Sequence, residues 1–302
     1  MSDAGSGTRI DERGHDRGGA VVVGVSLEGH GETAVRWAAA EARDRGVPLR
    51  LVLGLVVPRG GHGGLVGIDV RTGLRSLARR ELREMREAAQ AVAPGIAVSE
   101  DLVESDPVGV LRAQARSASL LVVGNDGLPR LVDLALRGIG RGLVGHVDVP
   151  VAVVPRGCDP RVRDRAGGAA PVVVGDDGSP GARAALRFAA ARASRRGAPL
   201  VVVRAGRDAR LLSEDVPALG PDRPPSVRVV LAEERADRVL ADQARGAELV
   251  VLGIGEHGWR HPHHPTRPGL VLHASCPVIV VPPPPPDVVA STATRVSQEV
   301  RS

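Results

Sequence analysis

Self-similarity constrains this chain more than any other feature, because two stretches that match in register must fold as two like units whatever the fold is. The segment AVVVGVSLEGHGETAVRWAAAEARDRGVPLRLVLG from Ala20 aligns without a gap on PVVVGDDGSPGARAALRFAAARASRRGAPLVVVRA from Pro171. About fifteen of roughly thirty-five positions are identical. The offset between copies is 151 there. It falls to 129 where SDPVGVLRAQARSASLLVVG ending at Gly124 meets ERADRVLADQARGAELVVLG ending at Gly253, and to 127 where VPVAVVP from Val149 meets CPVIVVP from Cys276. The second copy has therefore lost 22 residues in its middle and two more after Gly253. At 302 residues the chain is long enough for two domains, each with its own core.

Within a copy, Val21–Val25 and Leu49–Val57 are continuous apolar runs, the pattern of strands buried on both faces of a parallel sheet. The Ala-rich stretch between them closes at Gly46-Val47-Pro48, a helix followed by its stop signals. A charged segment over Thr72–Ala93 carries Leu74, Leu77, Leu82 and Met85 on one face and reads as a second helix. Strands near 97–102, 120–124 and 149–154 follow, with a helix over 107–116. The second copy offers strands at 172–175, 200–203, 227–231, 249–253 and 278–281. The alternation predicts an α/β fold: two doubly wound, five-stranded parallel-sheet domains at 20–156 and 171–282. The ends, 1–19 and 283–302, read as disordered, and 157–170 as a linker. In the second domain the helix over Thr72–Ala93 has no counterpart, and the Pro-rich stretch Val216–Pro225 stands in its place. The apolar sheet face left there needs a cover from that loop, which is too short to do it fully, from the first domain or from a second chain. The second domain alone is therefore expected to be less stable or less soluble, and the chain to self-associate through that face.

Composition removes several function classes. Trp37, Phe188 and Trp259 are the only aromatic residues, so there is no stacking platform for single-stranded nucleic acid. Net charge is +5 and every basic residue is Arg; the arginines are scattered, so no nucleic acid partner is expected. No leader-like or membrane-spanning apolar run occurs, and two cysteines, Cys158 and Cys276, make no disulfide framework. A cytoplasmic protein away from membranes is the expectation.

In a parallel sheet of this kind ligands sit beyond the carboxyl ends of the strands, where neighbouring strands send their helices to opposite faces. The loops there are VGVSLEG and VGNDG in the first copy, VGDDGSPG and LGIGEHG in the second. Glycines let the backbone approach a phosphate, and a following helix start offers free N–H groups. The histidines at 257, 261, 263, 264 and 273 are interrupted by prolines and lack a carboxylate or Cys at a standard spacing, so no metal site is expected. Ser179 in DGSPG fits no nucleophile elbow. Cys276, just before an apolar strand, reads as a core thiol, and Cys158 as a linker thiol open to oxidation.

The VVVGxDGSP start, the ALRxAAxxAxxRGAPL helix, the approach to LLVVG and the closing CPVxVVP strand resemble the universal stress protein family in a tandem arrangement, over nearly all of residues 20–282. The resemblance implies an adenine-nucleotide alpha-hydrolase-like fold and ATP or AMP binding by a sensor or regulator, with no established turnover role. It also implies an Asp after the first strand and a Gly-x2-Gly-x9-Gly-Ser/Thr run after the fourth. The first copy keeps Gly124 and Gly127 but reads Arg137-Gly138 where Gly-Ser is expected, and Ser26 replaces the Asp. Arg137 can pair with a phosphate or fill the space that a glycine leaves open. Leu55 stands at a position that packs on adenine, or simply in the core. The second copy keeps Asp177 but carries Glu256 at the second glycine, and prolines at 262, 265 and 268 break the following segment. Asp177 can equally cap the helix that begins near Pro180. The expectation is a non-catalytic protein with degraded sites, holding ATP or AMP weakly in the first domain only. The alternatives are a nucleotide-hydrolysing enzyme on the same fold, which would need a metal-holding carboxylate or a phosphate-gripping Lys in the loops of a chain that has no Lys, or a ligand-free scaffold. The family's habit of pairing fifth strands further implies an intramolecular pseudo-dimer, Val149–Val154 against Val278–Val281, beside a homodimer or an unknown protein partner.

Overall fold

Ten short runs of Val, Leu and Ala cannot each find a separate core, and they solve the problem together in one sheet. The computed structural model describes residues 19–27, 31–57, 64–125, 143, 147–158, 169–205, 224–232, 236–254 and 274–283, with backbone alone for 64–69 and 205. The first repeat runs β1 (Ala20–Gly24), α1 (Glu32–Arg45), β2 (Leu49–Gly54), α2 (Gly64–Val92), β3 (Val98–Val103), α3 (Pro107–Ala115), β4 (Ala118–Gly124) and β5 (Val151–Val154). The second runs β6 (Val172–Asp176), α4 (Pro180–Arg196), β7 (Leu200–Ala205), β8 (Val227–Ala232), α5 (Ala236–Ala244), β9 (Leu249–Gly253) and β10 (Val278–Val281).

The strand order is β3-β2-β1-β4-β5-β10-β9-β6-β7-β8, so each repeat has the same doubly wound order and the two halves mirror each other about the centre. Among the described residues all pairings are parallel except the central one, where Val278, Ile279 and Val280 face Val153, Ala152 and Val151 antiparallel. That junction gives each half's innermost strand a hydrogen-bonded neighbour, as edge protection requires. Both side-chain layers run through it without a break. One joins Leu51, Val122 and Val154 to Ile279, Val251 and Val174 under α1, α2 and α4; the other joins Val123 and Val153 to Val278 and Val250 under α3 and α5.

Local signals end the helices where the sequence places them. Gly46 and Gly197 close α1 and α4 at φ +68° and +60°, a conformation that side chains with a Cβ adopt only under strain. Asp106 caps α3 by accepting from Gly109 N at 2.8 Å, with Pro107 in the first turn. Helix α2 is longer than its apolar period suggests, starting at Gly64 rather than Thr72. Strand β5 is shorter than expected, starting at Val151 after Pro150, which cannot donate to a ladder. The Pro-rich stretch expected to replace the missing helix lies outside the described residues up to position 223. On β8, Val229 and Leu231 are exposed by 41% and 42%, whereas their repeat equivalents on β3 belong to a strand packed against α2.

Candidate functional site

The helices of the first repeat switch faces between β1 and β4, so the carboxyl ends of these strands are where a ligand cleft belongs. The register brings Ser26, Leu55 and Gly124 to that one edge, at the ends of β1, β2 and β4. Three backbone bonds carry the ladder past the strands: Val25 N to Val52 O at 2.8 Å, Leu55 N to Val103 O at 2.8 Å, and Asn125 N to Val154 O at 2.8 Å. Ser26 is half-buried at this edge. Leu55 is 3% exposed and belongs to the layer under α1 and α2, so its side chain is committed to the core. Gly127, Arg137 and Gly138 lie outside the described residues, as do Asp126 and the His-rich run.

The equivalent edge of the second repeat is built differently. Asp176 and Arg204, at the ends of β6 and β7, are each 4% exposed and form an ion pair. The other Asp176 oxygen, Oδ1, accepts from Gly178 N at 2.9 Å. Gly178 stands at φ +78°, and a Cβ there would meet the Arg204 guanidinium at 3.1 Å. The guanidinium therefore fills the space beneath the Asp177-Gly178 loop. At the repeat-equivalent positions the first half has Val25 and Leu53, both buried and apolar. An arginine inside the apolar run LVVVRA was the signal in the sequence, and its partner was the first of two adjacent aspartates.

Asp177 itself is exposed, and its Oδ1 accepts from Ser179 N at 3.0 Å in a local turn. Ser179, not Asp177, caps α4, its Oγ accepting from Ala182 N at 3.1 Å with Pro180 behind it. The start of α4 then lies directly on the end of β9. A Cβ on Gly181 would stand 1.9 Å from Ile254 O, and one on Gly253 would stand 2.2 Å from Gly181 O. Only two glycines permit that backbone contact. Gly181→Ala should therefore lower the unfolding free energy by about 1–3 kcal/mol, because the helix must move off the sheet. A urea midpoint unchanged from wild type would show that the contact is not there.

Cys276 is fully buried, as a core thiol should be. The linker reading of Cys158 is corrected: it is 4% exposed, and its thiol donates to Ser275 O at 3.4 Å, because the chain turns at Gly157 into the junction between repeats. Among the described residues no helix is long and apolar enough to cross a membrane.

The family model of the universal stress protein family matches residues 19–155 and again 169–225. The chain belongs to the universal stress protein family. A universal stress protein of Mycobacterium tuberculosis, Rv2005c, is 30% identical over 290 residues, covering 86% of this chain and 96% of its own. One from Mycolicibacterium smegmatis is 29% identical over 269 residues, 79% of this chain and 87% of its own. Among solved structures, a universal stress protein from Archaeoglobus fulgidus aligns over 88% of this chain and 97% of its own with a TM-score of 0.66 at 17% identity, a likeness of fold. The two family matches fall on the two repeats, so this is a tandem universal stress protein, and its sheet order is the adenine-nucleotide alpha-hydrolase-like one.

Proposed function

We propose that this universal stress protein is a non-catalytic cytoplasmic regulator. Its two domains, 20–156 and 171–282, act as an intramolecular pseudo-dimer, and ATP or AMP binds weakly in the first domain only. The observation that carries this reading is the contrast between the two carboxyl edges. In the second repeat the Asp176–Arg204 pair lies beneath the Asp177-Gly178 loop and the start of α4 rests on the end of β9, which favours the first edge as the one that takes a nucleotide. At the first edge Ser26 and Gly124 stand at the ends of β1 and β4, and apolar Val25 and Leu53 take the places of Asp176 and Arg204. There the nucleotide would be held by Ser26 and by backbone N–H groups of the run through Gly127 and Gly138, with Arg137 on its phosphates or in their way. The absence of Lys from the chain supports binding without turnover.

Calorimetric titration of the intact chain with ATP and AMP tests the reading. Restoring the family pattern with Ser26→Asp, Arg137→Gly and Gly138→Ser together should tighten binding about tenfold, close to 1.4 kcal/mol, while Asp177→Ala leaves it unchanged. Two nucleotides per chain, or loss of binding on Asp177→Ala, would place the site in the wrong repeat.

A further inference from the structure

Helices α1 and α4 are repeat equivalents, and they face each other across the β5–β10 junction. At the offset of 151, Trp37 corresponds to Phe188, Glu41 to Arg192 and Arg45 to Arg196. The contacts obey that correspondence. The Arg45 guanidinium lies 5.4 Å from the centre of the Phe188 ring, and Trp37 and Arg196, its counterparts, line one cleft at the same junction. Glu41 touches its own equivalent: Arg192 Nη1 stands 2.6 Å from Glu41 Oε2. A residue that meets its own counterpart sits on the two-fold axis of an isologous interface. Here the axis is approximate, and the two positions on it carry opposite charge.

Both side chains are almost wholly buried, at 1% and 4% exposure. Each has a companion from its own repeat: Arg45 Nε lies 2.6 Å from Glu41 Oε1, and Arg192 Nη2 donates to Glu248 Oε1 at 2.6 Å. Asp44 reaches across to Arg196 at 3.3 Å and to Arg192 at 3.5 Å. Burial opposes the charge on Glu41, but Arg192 and Arg45 outweigh it and hold its pKa down to about 2. Glu41 and Arg192 therefore meet as a charged pair at neutral pH, and water does not screen them.

We infer that the Glu41–Arg192 pair is a pairing lock: the α1 face of the first repeat accepts the α4 face of a second repeat and rejects a copy of itself. This rests on the pseudo-dimer reading and deepens it. Two first repeats joined edge to edge would press Glu41 against Glu41, and two second repeats Arg192 against Arg192, each like pair desolvated on the axis. An ancestral homodimer cannot hold opposite charges at one position; a tandem chain can, because the two copies mutate separately. The complementary partner is thus the second repeat of the same chain, and the lock discriminates by repulsion as well as attraction.

The intact chain can be made to report on this. Arg192→Glu recreates the axis of a first-with-first pairing, and Glu41→Arg that of a second-with-second pairing. Cys158, whose thiol bonds Ser275 across the junction, serves as the probe through its rate of maleimide labelling, with Cys276 separated by peptide mapping. Each single reversal should speed Cys158 labelling at least tenfold, and the double reversal should label more slowly than either. If a reversed chain fails to fold, the same cycle is run with Glu41→Gln and Arg192→Gln, where the double variant should fall short of the product of the singles. Independent, multiplicative effects in the cycle overturn the lock while leaving the pseudo-dimer in place. A wild-type Cys158 that labels as fast as an unfolded thiol removes the junction, and the pseudo-dimer with it.

Discussion

Arg204→Met should destabilise the protein by about 3–5 kcal/mol, the effect expected when one member of a buried ion pair is removed and the other is left charged without water. Asp176 would keep one bond, from Gly178 N, but would lose the guanidinium that also supports the loop from below. The two repeats supply their own control. Because Val25 and Leu53 occupy the same two positions in the first half, the double variant Asp176→Val with Arg204→Leu copies a solution the fold already uses. It should return stability to within about 1 kcal/mol of wild type or raise it, as hydrophobic replacements of buried pairs do elsewhere. Chemical denaturation of the three chains decides the matter. A harmless Arg204→Met would mean the pair is hydrated, and a double variant as poor as the single would mean the charges themselves are required.

The second large effect is a dependence on acid. Glu41 has a folded pKa near 2 against an ordinary value of 4.5: burial pushes it up, and Arg192, then Arg45, with Arg195 nearby, pull it down further. Arg192 is in turn held by Glu248 and Asp44, so these charges all face the same buried cluster. A group whose pKa is lowered by folding stabilises the folded state fully above its unfolded pKa. That contribution fades as pH falls through the folded value. The shift corresponds to roughly 3 kcal/mol, present above about pH 4.5 and gone near pH 2. Comparing urea midpoints of wild type and Glu41→Gln from pH 7 down to 2 should show the wild-type advantage shrinking by that amount over the acid limb alone. A difference that stays constant with pH would remove Glu41 as the titrating group.

The candidate site was legible in part. Ser26, Gly124 and Asp177 stand in loops at strand ends, and the repeat's spacing makes those loops visible in the sequence. Leu55 could not be resolved there, since a leucine under adenine and a leucine in a core look alike; its 3% exposure and its place in the core layer are tertiary facts. Composition allows Asp177 as a cap, yet Ser179 caps α4, because a cap depends on backbone angles one or two residues apart. Arg204 stands inside an apolar strand, in plain view of the sequence. The sequence shows that a charge is out of place; its partner, Asp176, lies 28 residues away on the neighbouring strand.

The sequence by itself determined the duplication, the alternation of strands and helices and most of their ends, since each rests on short-range physics: apolar period, glycine and proline stops, and side-chain caps. The tertiary structure alone decided what meets what across the centre. That Glu41 faces Arg192 and Cys158 is buried against Ser275 follows from the antiparallel register of β5 with β10, and a register between distant strands leaves no local trace. The charges at positions 41 and 192 could be read from the first residue to the last without showing that they lie on one axis, because an axis is a property of packing.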